Sequence, residues 1–286
     1  MSSTSDSTIR PSAIAGQWYP GSAPALRRTV EEFLAAAPPV ALPGPVIALV
    51  SPHAGYAYSG PTAGHAFAQV RGAAFRRVIL LGPLHRPIWG SRLGAFMVPQ
   101  EAAYRTPLGD VPLDRAFIAA LGRRVLLTPV QRDEEHSLEI ELPFLQAALA
   151  AFTLVPIMLG EHIGDPGARA RVTGLATALT ELCDDGTLLV ASTDLSHLDN
   201  YADVVRTDRR LAELLVAFAV DGLAAALATA QAQACGATGL VAVLEAAQKR
   251  GARGVQVLAQ TTSGDVTGKK QPGVYTVGYL AAAAYR

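Results

Sequence analysis

Leu49-Val50-Ser51-Pro52-His53-Ala54-Gly55-Tyr56-Ala57-Tyr58-Ser59-Gly60 decides the fold class. An apolar run, Val46 to Val50, leads into it and reads as a buried strand; Thr62 to Val70, just beyond, reads as a helix. A histidine between a buried strand and a helix stands at the mouth of an α/β sheet, where open parallel sheets place their ligands. The small residues around it suit a backbone that turns sharply beside a bound group.

Further strand ends repeat the pattern. Val78 to Leu81 ends in Gly82-Pro83-Leu84-His85, and Thr187 to Ala191 ends in Ser192-Thr193-Asp194-Leu195-Ser196-His197. The helix between the first two strands makes a βαβ unit, which predicts 46–50 and 78–81 as parallel neighbours. Pro24 to Ala36, Leu113 to Leu121, Asp165 to Leu182, Tyr201 to Ala219, Leu223 to Ala232 and Leu240 to Arg250 read as helices. Asp133 to Ala151 reads as one further helix, with Pro143 confined to a first turn or marking a kink. Gly94 to Val98 and Tyr104 to Val111 form a β excursion; Phe152 to Leu159, Val255 to Thr261 and Val274 to Ala282 complete the strands. The reading is a single α/β domain over 10–286, a central, mostly parallel or mixed sheet flanked by helices, after a disordered tail over 1–9.

Composition narrows the function classes. Half of the 286 residues are apolar, 17% are charged and the formal net charge is zero, so the chain can bury a large core and lacks a disordered composition. A neutral chain with scattered Arg pairs has no field to hold nucleic acid or an anionic membrane. Two cysteines, Cys183 and Cys235, are too few for a disulfide framework. No apolar run spans a bilayer and no secretory signal opens the chain, so a cytoplasmic location is expected.

Of six histidines, four stand at strand ends or just before a helix: His53, His85, His136 and His197. Any one alone is more often a satisfied core or surface residue. Four in equivalent positions point to a site, because imidazole is both the commonest metal ligand and a general base near neutral pH. His65 reads as structural, and His162 as a reserve candidate. Cys235, before a helix, is either an inert small hydrophobe or a thiolate able to ligate a metal; the residues alone leave this even. Asp194 and His197 are spaced to enter one pocket from a single turn, either as an oriented proton-transfer pair or as a helix cap. No GxGxxG, GKS/GKT, HExxH or GxSxG is present.

Seven ordered motifs together resemble the Memo family, known in bacteria and archaea as AmmeMemoRadiSam system protein B. They are Ala15-Gly16-Gln17-Trp18-Tyr19-Pro20; Pro52 to Gly60; Leu81-Gly82-Pro83-Leu84-His85; Tyr104-Arg105-Thr106-Pro107-Leu108-Gly109; Glu135-His136-Ser137-Leu138-Glu139; Ser192 to His197; and Cys235-Gly236. The resemblance implies a fold similar to class III extradiol ring-cleaving dioxygenases. It also implies a metal held by two histidines and a cysteine, which here are His53, His85 and Cys235. Fe(II) is the leading ion it implies, copper the second and zinc the least. Asp194 and His197 match the polar pair of the same pocket, and His136, Tyr56 and Ser192 are its expected substrate contacts. Where the dioxygenases complete a 2-His-1-carboxylate face, the third ligand here is a thiolate, which is softer and favours a more reducing site. Leu84 departs from the Ser or Asn common at that position.

Two functions follow from the resemblance. One is a non-haem, dioxygenase-like oxidoreductase acting on a small molecule. The other is a non-catalytic protein that uses the same pocket to hold a metal or peptide for a partner, with radical-SAM system proteins as the implied partners. A zinc or manganese hydrolase is a weaker third. Oligomeric state and substrate are left open.

Overall fold

The computed structural model describes residues 9–38, 40–86, 88 and 94–286. Residues 1–8 of the expected tail lie outside the described residues, whereas Ile9 is already paired. The elements begin with β1 (Ile9–Arg10), α1 (Ala23–Ala36), β2 (Val46–Ser51), α2 (Tyr56–Ala68) and β3 (Arg77–Pro83). Next come β4 (Phe96–Pro99), β5 (Ala103–Thr106), β6 (Gly109–Pro112), α3 (Arg115–Gly122) and β7 (Thr128–Val130). The middle of the chain forms α4 (His136–Glu139), α5 (Leu142–Ala148), β8 (Thr153–Leu159), α6 (Ala168–Leu182), β9 (Thr187–Ser192) and β10 (His197–Leu198). It closes with α7 (Tyr201–Ala217), α8 (Val220–Ala228), α9 (Ala237–Lys249), β11 (Gly254–Thr262), α10 (Ser263–Thr267) and β12 (Thr276–Tyr285).

The main sheet is open and mixed, in the order β10-β12-β2-β9-β3-β8-β4-β7, with β11 on β12. The four central strands, β2, β9, β3 and β8, are parallel. They are buried almost throughout, which is why each reads as a continuous apolar run. A small sheet, β1-β5-β6, accounts for the second part of the β excursion, whereas its first part, β4, joins the main sheet. The result is the expected α/β domain, with α2 packed on β2, β11 and β12, and α9 packed on β2, β3 and β9.

Two details of the expected topology are corrected. The strands 46–51 and 77–83 are parallel but not neighbours, because β9 lies between them and pairs with both. The expected helix 133–151 is two short helices, α4 and α5, with Ile140 and Glu141 between them. Pro143 sits in the first turn of α5, where its missing N–H is no loss. No helix among the described residues is long and apolar enough to cross a membrane.

Two contacts set the position of the chain after β2. A Cβ at Gly60 would lie 2.4 Å from the Phe33 ring, and one at Gly64 would lie 2.7 Å from the Phe33 carbonyl oxygen. Only glycine lets α2 approach α1 this closely, and α2 in turn fixes where the His53 loop leaves the sheet.

Candidate metal centre

Sheet order gathers the site. Ser51 and Ser192 are paired in register at the ends of β2 and β9, and β3 ends alongside them. The loops after all three strands therefore share one rim. His53 follows β2, His85 follows β3, Asp194 follows β9, and His136 opens α4 across from them. One donor atom from each of His53, His85 and His136 lies within 4.8 Å of the other two. The ring centroids are 5.1 Å apart for His53–His85, 5.7 Å for His53–His136 and 4.6 Å for His85–His136.

Each ring is held from behind. His53 Nδ1 is 2.9 Å from Ser192 Oγ, and the His53 N–H donates to Asp194 Oδ1 at 2.8 Å. His85 Nδ1 is 3.1 Å from Glu135 Oε1. The same carboxylate accepts from the backbone N–H groups of His85, Arg86, His136 and Ser137. His136 Nδ1 lies 3.3 Å from Glu135 Oε1, out of line for a hydrogen bond, and is buried without another partner. A carboxylate behind metal-binding imidazoles is the usual way to orient the rings and raise their basicity.

The N-terminal segment clasps this arrangement. Arg10, with no exposed surface, donates to Asp133 at 2.8 Å, to Glu139 at 2.5 Å and to the Glu135 carbonyl at 2.7 Å. Tyr19 Oη donates to Glu139 Oε1 at 2.7 Å. Trp18 thereby packs on His136, with ring centroids 4.3 Å apart.

Electrostatics keep two of the imidazoles neutral. Burial, then the charges His85 and His136 would carry, lowers His53 well below the ordinary histidine value. Burial lowers His136 to about 4 against the pull of Glu135. Burial opposes the charge on Glu135, but the His85 hydrogen bond, the nearby His136 and the Ser137 N–H outweigh it and hold Glu135 well below the carboxylate range. Neutral rings with free lone pairs over a charged carboxylate form a donor set suited to a divalent first-row metal ion.

A cavity of about 440 Å³ opens above the cluster. Its floor holds His53, His85, His136 and Asp194, and its walls include Trp18, Tyr58, Tyr275 and Val277. Burial pushes Asp194 up to about 7, partly offset by the N–H groups of His53 and Ala54. His197 is on the rim, with Nδ1 2.9 Å from Tyr275 Oη. Partial desolvation, then the neighbouring His85, lowers its pKa.

Several expected site residues take other places. Cys235 is not in the group of converging donors; its Sγ lies 3.1 Å from His53 Nε2 and 3.2 Å from the Asp194 nitrogen, which donates to it. Burial, then Asp194, pushes the thiol pKa up, so the uncharged thiol is the form that meets His53. The donors that converge are those of His53, His85 and His136, with the expected ligand Cys235 against one of them. Tyr56 is a core residue, buried against Phe33 and Phe144, with its hydroxyl donating to the Ile140 carbonyl at 2.9 Å. Ser192 is behind His53, not on the pocket wall. Asp194 and His197 both line the pocket, but the His197 ring pairs with Tyr275 and Asp194 holds the His53 backbone. His162 and Cys235 line a separate cavity of about 230 Å³, and His65 is half-buried in α2. Glu135 and Tyr275 are the groups the sequence reading misses. Glu135 adjoins His136 in the sequence, so its signal is present; Tyr275, just ahead of β12, has none.

A family profile described as Memo-like protein matches residues 10–283. A MEMO1 family protein of Methanopyrus kandleri is 32% identical over 284 residues, covering 95% of this chain and 97% of the relative. A MEMO1 family protein of Thermotoga maritima is 32% identical over 291 residues, covering 96% and 99%. One of Methanococcoides burtonii is 32% identical over 279 residues, covering 96% and 98%.

Proposed function

The chain belongs to the Memo-like family, and from that premise we propose that it is a metal-binding protein whose His53, His85 and His136 hold one first-row transition-metal ion. Fe(II) is the first choice, copper the second and zinc the third. The observation that carries the reading is the convergence of three imidazole donors within 4.8 Å, on the floor of a cavity. Three nitrogen ligands leave positions open for an exogenous ligand.

We propose further that the site performs dioxygenase-like oxidation of a small planar molecule. A bound iron or copper ion would supply the activation of O2. The chain's own part is to bind, orient and move protons. Trp18, Tyr58 and Tyr275 offer aromatic surface to a flat ligand, and the small side chains of Ala54 and Ala57 leave room for it. His197, oriented by Tyr275, and Asp194, poised near neutrality, are placed to take or return a proton from the ligand. Anaerobic loading followed by metal analysis tests the first proposal: one ion per chain is expected, and none would end it. O2 uptake with catechol-like compounds tests the second.

A second reading has its own support. Tyr58 and Tyr275 are 46% and 58% exposed at the pocket mouth, as in surfaces that receive an aromatic side chain of a partner. A metal-loaded protein that turns over nothing, and loses a peptide or protein partner in His53→Ala, fits this non-catalytic role.

A further inference from the structure

Behind His53 lies a set of buried polar groups that the donor cluster does not use. Ser192 Oγ is 2.6 Å from the Ser137 carbonyl oxygen, 2.9 Å from Glu141 Oε1 and 2.9 Å from His53 Nδ1. Glu141 has no exposed surface, and its other oxygen accepts from Ser51 Oγ at 2.8 Å. The arrangement is built in: register pairs Ser51 with Ser192 across β2 and β9, and the break between α4 and α5 places Glu141 between the two serines.

Counting protons decides the states of these groups. A serine hydroxyl carries one proton and can accept two more. The Ser137 carbonyl can only accept, so the Ser192 proton goes to it, at the shortest of the three distances. The other two contacts then need protons of their own, one on Glu141 Oε1 and one on His53 Nδ1. An ionised Glu141 would require the Ser192 proton. That would leave two lone-pair oxygens facing each other at 2.6 Å between fully buried groups.

We propose that Glu141 is a neutral carboxylic acid and a positioning residue for His53. Acting through Ser192, it locks the imidazole as the Nδ1–H tautomer, with the lone pair on Nε2 toward the metal site. The use of this lock rests on the metal reading above; the lock itself exists without any metal. Burial, only partly offset by the hydrogen-bonded contacts with Ser51 and Ser192, pushes the Glu141 pKa up to about 8, in agreement with the proton count. Tautomer control through the second ring nitrogen is the general means of aiming a histidine at a cation.

The test uses metal-free, full-length protein with 15N-labelled histidine. Its NMR spectrum reports which nitrogen of His53 is protonated, with His53→Ala assigning the signal. Glu141→Gln keeps a donor toward Ser192 and an acceptor toward Ser51; Glu141→Met fills the space without either. The Nδ1–H form is expected in wild type and Glu141→Gln, and a mixture of tautomers in Glu141→Met. Affinity for Co2+ is expected to stay within about threefold in Glu141→Gln and to fall about tenfold or more in Glu141→Met. An Nε2–H tautomer in the wild type, or a Glu141→Gln loss equal to that of Glu141→Met, overturns the proposal. If Glu141→Met does not fold, Ser192→Ala serves instead, because it removes the link and leaves the Glu141–Ser51 bond. A protein that shows the Nδ1–H form in wild type and Glu141→Gln but takes up no Co2+ keeps the lock and refutes only the metal reading.

Discussion

The Nε2 atom of His53 lies 3.1 Å from the Cys235 sulfur. With Nδ1 engaged by Ser192, Nε2 is the ring's lone-pair atom, and the uncharged thiol hydrogen-bonds to it. Cys235 is thus a neighbour of one donor, while His136 closes the triangle with His53 and His85. Substituting each residue separates the two donor sets. Cys235→Ser is expected to keep one metal ion per chain, with affinity lowered by no more than about tenfold. His136→Ala is expected to lose about 100-fold or more. Competition with a chromogenic chelator measures both; a sharp loss in Cys235→Ser beside a mild one in His136→Ala would restore the thiolate as third ligand.

Glu135 serves two histidines and the start of α4 at once. Glu135→Gln keeps the size but removes the charge and one set of lone pairs. Metal affinity is expected to drop about 10- to 100-fold, the usual cost of removing the carboxylate behind a liganding imidazole. Glu135→Ala should also destabilise the metal-free protein by about 3 kcal/mol. It orphans the backbone N–H groups of His85, Arg86, His136 and Ser137 together. Urea titration of the metal-free variants separates the two effects.

The strand ends that carry the site were legible for a physical reason. Parallel strands buried on both faces need apolar residues at every position, so 46–50, 78–81 and 187–191 stand out, as do the polar residues that end them. What the sequence could not show is lateral order. Nothing local says that β9 inserts between β2 and β3, yet that insertion puts Ser192 against His53. The third histidine was visible but its role was not, since α4 and the N-terminal clasp meet across more than a hundred residues through Arg10 and Glu139. Glu141 lies in an apolar helical stretch, and nothing around it in the sequence signals that the fold buries it completely.

That clasp is itself testable. Arg10 faces Asp133 and Glu139 with no exposed surface on any of the three side chains. Arg10→Met leaves two buried carboxylates without their cation. A loss of about 3–5 kcal/mol is expected, the range for breaking a buried pair from one side. Because Glu139 belongs to the α4 turn that presents His136, metal affinity should fall in the same variant. Arg10→Met combined with Asp133→Asn and Glu139→Gln should recover part of the stability, since no buried charge is then left unpaired. Chemical denaturation of the single and triple variants measures this, and a single variant as stable as wild type would contradict the network's role.

Glu141 makes a prediction about pH with a definite sign. Its folded-state pKa, about 8, lies above the ordinary value of 4.5. Between these two values the unfolded chain has given up the proton and the folded chain still holds it. The group therefore favours the fold fully below pH 4.5, and its contribution declines as pH rises toward 8, by up to about 1.4 kcal/mol per pH unit. Glu141→Gln cannot ionise and lacks this slope. Wild type and Glu141→Gln should be close in stability near pH 5, and the variant should gain steadily on wild type as pH rises to 8. Urea unfolding of the two metal-free proteins at matched pH values gives the difference, in which other titrating groups largely cancel. A gap that stays flat would mean that Glu141 is ionised in the fold at neutral pH, and a gap that moves toward wild type would mean that its charge is stabilised there.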